Sequence, residues 1–219
     1  MRRKPAAVVR SLALGLWLVG AGLWANPAQA DTLYNSLSGA PDSSLGPFPV
    51  GSAGPEGDSF STGASPFSLT DVLVALQGVP DSASFNISLF SDSNTMCVPV
   101  CSGGPLTLLY TITTVSDNSL STSLANYDFS LAAAQTLAAN TRYWIIASSS
   151  NGSGTLWSYT ADLSGAGVAG EFDVDAGGVG PTSNEPFQME IVGSPVPEPS
   201  SLVLLSIGLA SLVGVLRRE

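Results

Sequence analysis

An all-β domain, an antiparallel β-sandwich of jelly-roll-like form, is predicted over residues 31–193, with a signal peptide before it and a single transmembrane helix after it. Three observations lead there. Apolar side chains recur with a period of two in several short segments, which places them on one face of a strand. Gly, Pro, Asn and Asp clusters separate those segments at intervals of roughly 10–20 residues, the rhythm of sandwich and barrel proteins. The longest apolar runs lie near the two ends of the chain, each beside a basic cluster.

The N-terminal run comes first. Met1–Arg10 is basic, Ser11–Trp24 is apolar, and Asn26-Pro27 breaks the pattern before Ala28-Gln29-Ala30. A basic start, a short apolar core and a small-x-small site form a secretory signal, with signal peptidase cutting after Ala30 and the mature chain starting at Asp31. An uncleaved anchor is the alternative, but the apolar core is shorter than the roughly 20 residues that span a bilayer.

Strand segments follow. Phe67–Leu76 precedes a Gly78-Val79-Pro80-Asp81 turn cluster. Within Ser84–Phe90, Phe85, Ile87 and Leu89 fall on one face, with Asn86 and Ser88 on the other. Leu106, Leu108, Tyr110 and Ile112 repeat this alternation, as do Tyr127, Phe129 and Leu131. Thr141–Ser148 is apolar on both faces, the signature of a central strand. Thr155–Thr160 and Phe187–Val192 complete the set. Leu131–Ala139, LAAAQTLAA, is the one helix candidate, and a turn or loop fits it equally, because a helix below about 12 residues is marginal without packing.

Charge and composition narrow the function. The chain has 17 acidic and 7 basic residues, no histidine and a net charge of −10. Six bases flank the terminal apolar runs, so residues 31–196 carry fifteen acids against Arg142 alone, a charge near −14. Nucleic acid is excluded as a partner, since phosphate binding needs clustered Lys or Arg. Without histidine there is no Ser-His-Asp triad, no HExxH zinc site and no haem ligation by His. No catalytic residues are assigned, and the domain is read as non-enzymatic.

Cys97 and Cys101, in CVPVC, are a candidate disulfide in an oxidising compartment, closing a tight loop around Pro99. Zinc would need four ligands. Glu171, Asp173 and Asp175 alternate along one segment beside Gly177-Gly178 and are a weak calcium candidate, set against a solvated strand face. No other cofactor is expected. Paired carboxylates also leave a secreted hydrolase open as a lesser reading, decided by a separation that sequence cannot give. Arg142, Trp144, Trp157 and Tyr159 are candidate glycan contacts: guanidinium grips carboxylate bidentately, and aromatic faces stack on sugar rings. Their alternative roles are an ion pair for Arg142 and core packing for the rings.

The last segment is Val196-Pro197-Glu198-Pro199-Ser200, an apolar stretch Ser201–Leu216, and Arg217-Arg218-Glu219. It reads as a proline-stiffened spacer, a transmembrane helix of about 24 Å and a basic stop on the cytoplasmic side. A plain tail anchor has this shape. The order also resembles the PEP-CTERM sorting signal of Gram-negative bacteria, from VPEPS through the terminal arginine pair. That resemblance implies recognition of Pro197, Glu198 and Pro199 by an exosortase-type membrane enzyme. It further implies export through the inner membrane, where the chain is held transiently, delivery to the cell surface or beyond, and an association with exopolysaccharide.

The domain between is similar to the choice-of-anchor R domain. The matching pieces are Asp58-Ser59-Phe60-Ser61-Thr62-Gly63, Phe67–Leu76, Tyr127-Asp128-Phe129, Leu137–Trp144, Ser148–Asn151 and Leu156-Trp157-Ser158. This resemblance implies an exported surface domain with no catalysis to transfer.

Overall fold

The computed structural model describes residues 30–41, 48–50, 54–81, 83–93, 96–97, 101–102, 104–175, 178–181 and 185–196. The predicted signal peptide up to residue 29 lies outside them, as do Pro197–Ser200, the transmembrane helix 201–216, and Arg217 and Arg218.

The described residues form antiparallel sheets, with one short 3-10 turn and no α-helix. The strands are β1 (Asp31–Asn35), β2 (Phe48–Pro49), β3 (Glu56–Ser61), β4 (Phe67–Gln77), β5 (Ser84–Asp92), β6 (Met96–Cys97) and β7 (Cys101–Ser102). The second half adds β8 (Pro105–Ser116), β9 (Ala125–Leu137), β10 (Arg142–Ser148), β11 (Leu156–Trp157), β12 (Phe172–Asp175), β13 (Gly178–Pro181) and β14 (Met189–Pro195). One sheet runs β1-β14-β4-β11-β2 with β9 on β4, a second runs β13-β12-β3-β10-β5-β8, and β6-β7 form a separate two-stranded sheet. The two larger sheets contribute side chains to one apolar core: Leu69, Val72 and Met189 from the first, Phe60, Ile87 and Ile145 from the second. This is the layering of a sandwich.

In β5 the apolar face behaves as period two requires: Phe85, Ile87 and Leu89 are buried and Asn86 is exposed, but Ser88, expected beside Asn86 on the wet face, is buried as well. β10 is central, paired with β3 and β5, and buried on both faces. Tyr143, Ile145 and Ala147 join the main core, while Trp144 and Ile146 join Val174 in a second apolar cluster on the opposite face. Gly57 sits in that contact, where a Cβ would lie 2.1 Å from the Ile145 carbonyl oxygen.

Four further expectations are corrected. The segment read as a helix, turn or loop is mostly strand: Leu131-Ala132-Ala133-Ala134-Gln135-Thr136-Leu137 forms the second half of β9. Gln135, Thr136 and Leu137 pair with β4 at Leu69, Ser68 and Phe67, an arrangement that a helix this short cannot match without packing. The alanines fall where the register breaks, between Leu69↔Gln135 and Asp71↔Ser130, so the extra residues form a bulge. The Thr155–Thr160 strand shrinks to Leu156–Trp157, continued by a single bridge from Tyr159 to Phe187. The last strand begins at Met189 and runs on to Pro195. Leu106 and Leu108 are 64% and 52% exposed, because the register of β8 with β5 shifts between Leu89 and Phe90, setting Leu108 opposite Phe90 and off the core face that Tyr110 shares with Leu89.

Candidate functional site

The start of β10 carries the most developed polar site among the described residues. The chain arrives from β9 through Ala138–Thr141, and Asn140 adopts φ +49°, a left-handed conformation that its short amide tolerates. Asn140 N–H donates to the Gly63 carbonyl at 2.8 Å, and Thr141 N–H donates to Thr62 Oγ1 at 2.9 Å. Tyr143 Oη accepts from Ala138 N–H at 2.9 Å. These bonds fix Arg142 as the first residue of the strand.

Arg142 pairs with a carboxylate, as its isolation among acids suggested. Its Nε donates to Glu171 Oε2 at 3.0 Å, and Nη2 donates to the Gly170 carbonyl at 3.2 Å. Its guanidinium carbon lies 4.4 Å from the Phe172 ring centroid, a cation–π contact. The side chains of Arg142 and Glu171 are 26% and 5% exposed, so a half-open cation shields a closed-in anion. Ser59 also donates to Glu171 Oε2, and Phe172 N–H donates to Ser59 Oγ at 2.8 Å.

Beside Arg142 lies a cavity of about 260 Å³, lined by Ser91, Asp92, Leu109, Asn140, Thr141, Arg142 and Tyr143. Asp92 Oδ1 accepts from Trp144 Nε1 at 2.9 Å and from Gly104 N–H at 3.1 Å. Only Arg142 of the four candidate glycan contacts reaches this cavity wall.

The other three are corrected to core residues. Trp144 and Trp157 are fully buried and Tyr159 is 1% exposed, so none offers a face to a sugar. Trp157 packs on Phe187 at 5.2 Å and donates to the Gln188 carbonyl at 3.0 Å. A ring of this size removes about 200 Å² from water, a gross gain near 5 kcal/mol, and sheet-on-sheet packing claims it first.

The acidic triplet does not act as one unit. Glu171 is held by Arg142 and Ser59, whereas Asp173 stands opposite Asp58 in the β12–β3 register. Among the described residues no three carboxylates or thiols converge as a metal site, so the calcium candidate Glu171, Asp173 and Asp175 finds no support in the geometry.

The sequence reading missed Asp58, which is fully buried on the core side of β3 and accepts from Tyr34 Oη at 3.1 Å. Burial, then the Asp173 charge, raises the Asp58 carboxyl well above the usual carboxylate range. Burial, then Asp58, raises the Tyr34 phenol likewise. Asp173 is raised by its own burial. The sequence signal for β3 was weak because EGDSFS is acidic and polar, yet five of its six residues are buried.

The two cysteines stand opposite each other across a small hairpin, with Cys97 and Cys101 in direct register between β6 and β7. At the other extreme of the domain's chain, β14 ends at Pro195, and Val196 N–H donates to the Pro66 carbonyl at 2.8 Å. The next residue is Pro197.

Residues 195–218 match the PEP-CTERM protein-sorting motif. The PEP-CTERM signal implies export and membrane processing by a sorting system, and it supports a substrate of exosortase-type sorting. No curated protein matches the sequence. Among solved structures, the cysteine protease and lectin-like domains of Cwp84, a surface layer associated protein of Clostridium difficile, align at 12% identity with a TM-score of 0.42. The alignment covers 65% of this chain and 32% of that one, so the chain spans about a third of that protein's length.

Proposed function

We propose that the chain is an exported, non-enzymatic surface or extracellular-matrix protein of a Gram-negative bacterium, with a choice-of-anchor R-like sandwich as its body. In this reading signal peptidase releases Asp31, the segment 201–216 holds the tail in the inner membrane, and an exosortase-type enzyme processes the tail near Pro197-Glu198-Pro199. One observation carries it: the sorting motif begins where the last strand ends, with Val196 still tied to Pro66 and the proline pair immediately after it. The folded body thus ends where the sorting motif begins.

The non-catalytic part rests on how the polar groups are spent. Arg142 is committed to Glu171 and Gly170, and Asp58, the carboxyl opposite Asp173, is shut in the core. A hydrolase needs two carboxyl groups flanking an open bond-cleavage site.

Mass spectrometry of the protein purified from its native host tests the reading. The expected termini are Asp31 and a residue between Pro197 and Ser200; P197A with E198Q should accumulate with an intact tail. A wild-type chain that retains Glu219 at the surface would sink the sorting claim.

Carbohydrate binding is the second reading, favoured by the position of Arg142 on the 260 Å³ cavity beside Asp92, Asn140 and Thr141. That volume falls just under the roughly 300–1,000 Å³ of small-molecule sites. Exopolysaccharide pulldown with wild type and R142M decides it: retention lost in the variant supports the module, and no retention of any polysaccharide by wild type removes it.

A further inference from the structure

Register places both ends of the domain at one end of the sandwich. Asp31 pairs with Gly193, and Pro195 pairs with Phe67, which in turn pairs with Leu137 on β9. The loops 62–66 and 138–141 cross between the sheets there, joined by the Asn140–Gly63 and Thr141–Thr62 hydrogen bonds. On the second sheet the same end holds Arg142 opposite Ser61, and Asp92 opposite Pro105. The opposite end carries Gly78, bonded to Ser121, and the turn near Asp117.

Exposed apolar side chains concentrate at the first of these ends. Among the described residues the three most exposed large hydrophobics are Leu106 at 64%, Leu108 at 52% and Leu109 at 47%, all within the first turns of pleat of edge strand β8. Of the rest, Val79 and Leu124, each 39% exposed, lie at the far end, and Leu163, 37% exposed, lies in the segment between β11 and β12. The crossing loops at the leucine end, Thr62-Gly63-Ala64-Ser65-Pro66 and Ala138-Ala139-Asn140-Thr141, contain no charge. The domain's sole basic side chain, Arg142, is there; of the acids at this end Glu171 is paired with it, Asp92 accepts the Trp144 indole N–H, and Asp31 is exposed at the start of β1.

We infer that this end faces the lipid bilayer while the tail is inserted, and that Leu106, Leu108 and Leu109 sit in its interfacial layer. The inference rests on the reading of 201–216 as a membrane segment. Chain length then sets the distance. Only residues 197–200 separate Val196 from the apolar segment, and four residues reach at most about 14 Å. The polar layer on each side of the hydrocarbon core is about 5–8 Å deep. The end from which Val196 departs is therefore held at the surface, and the leucines are carried to it. A domain near −14 is repelled by anionic headgroups, so apolar contact, not charge, supplies the attraction. The occupant is lipid, not a second copy of the chain: two such domains repel each other, whereas the tail brings the bilayer to the patch.

The test uses the full chain reconstituted into phosphatidylcholine vesicles with brominated acyl chains, in wild type, L108W and V79W. Wild-type emission is subtracted. Bromine should lower the emission added by L108W at least twofold and leave that added by V79W unchanged. Chains that float with the vesicles but show no quenching of L108W, or equal quenching of both variants, overturn the inference and leave membrane insertion of the tail standing. Chains that fail to float overturn the tail reading, and the inference with it.

Discussion

Arg142→Met tests how far one cation organises the acidic domain. The substitution keeps a long apolar stem but removes the Nε–Glu171 bond at 3.0 Å, the Nη2–Gly170 bond at 3.2 Å and the contact with Phe172. Removing one partner of a buried ion pair costs about 3–5 kcal/mol, because the other charge stays behind without compensation. Glu171 is that stranded charge, with its side chain 5% exposed. Two features reduce the cost: Arg142 is itself 26% exposed, so water screens part of the attraction, and Ser59 still donates to Glu171. Halving the pair energy and adding about 0.5–1 kcal/mol for the lost cation–π contact gives a destabilisation of about 2–3.5 kcal/mol. For a domain of this size that lowers Tm by roughly 5–10 °C. Urea unfolding of residues 31–196 should show it in wild type, R142M, E171Q and the double variant. The double variant should be more stable than R142M, since it removes the stranded charge. A loss below about 0.5 kcal/mol in R142M, or strictly additive single effects, would refute the argument from burial.

The buried carboxyl makes a prediction with a definite sign. Because burial and Asp173 raise the Asp58 pKa in the fold, the native state binds this proton more readily than the unfolded chain. Its stabilising contribution is complete below the unfolded carboxylate value near 4 and is lost as pH rises through the folded pKa; Asp173, also raised, adds the same sign. Wild type should lose stability as pH rises above the unfolded carboxylate range, and D58N, which retains an acceptor for Tyr34, should flatten that slope; an unchanged slope in D58N contradicts the assignment. The direct register of Cys97 and Cys101 predicts that the exported protein resists alkylation until it is reduced. Replacing both by serine should cost at most about 2 kcal/mol, as expected for so short a loop, and immediate alkylation of the unreduced protein would disprove the pairing.

The parts of this protein that sequence exposes are those whose information is local. β4, β5 and β10 carry their own burial pattern in their own residues, and the sorting motif is a linear string with no need of a fold. Partnership is what sequence withholds. EGDSFS reads as a polar loop, yet β10 and β12 close on either side of it and bury Glu56 and Asp58. Trp144 looks available because the neighbouring Tyr143 already fills the core face. It is lost to solvent because β12 lays Val174 and Phe172 over the opposite face. Arg142 lines the cavity while Trp144, two positions further into the same strand and on the same face, is sealed; the difference is distance from the strand end, where cover gives out. Leu106 and Leu108 also depend on partnership: their alternation is that of a buried strand, but the register shift that sets Tyr110 opposite Leu89 and Leu108 opposite Phe90 turns them from the core face to the outer face of edge strand β8. Apolar residues left open at an edge are ordinarily a pairing hazard, managed by charge or cover. Here they lie beside uncharged loops, at the end from which an apolar tail departs, and that location turns a hazard into a surface with a solvent of its own.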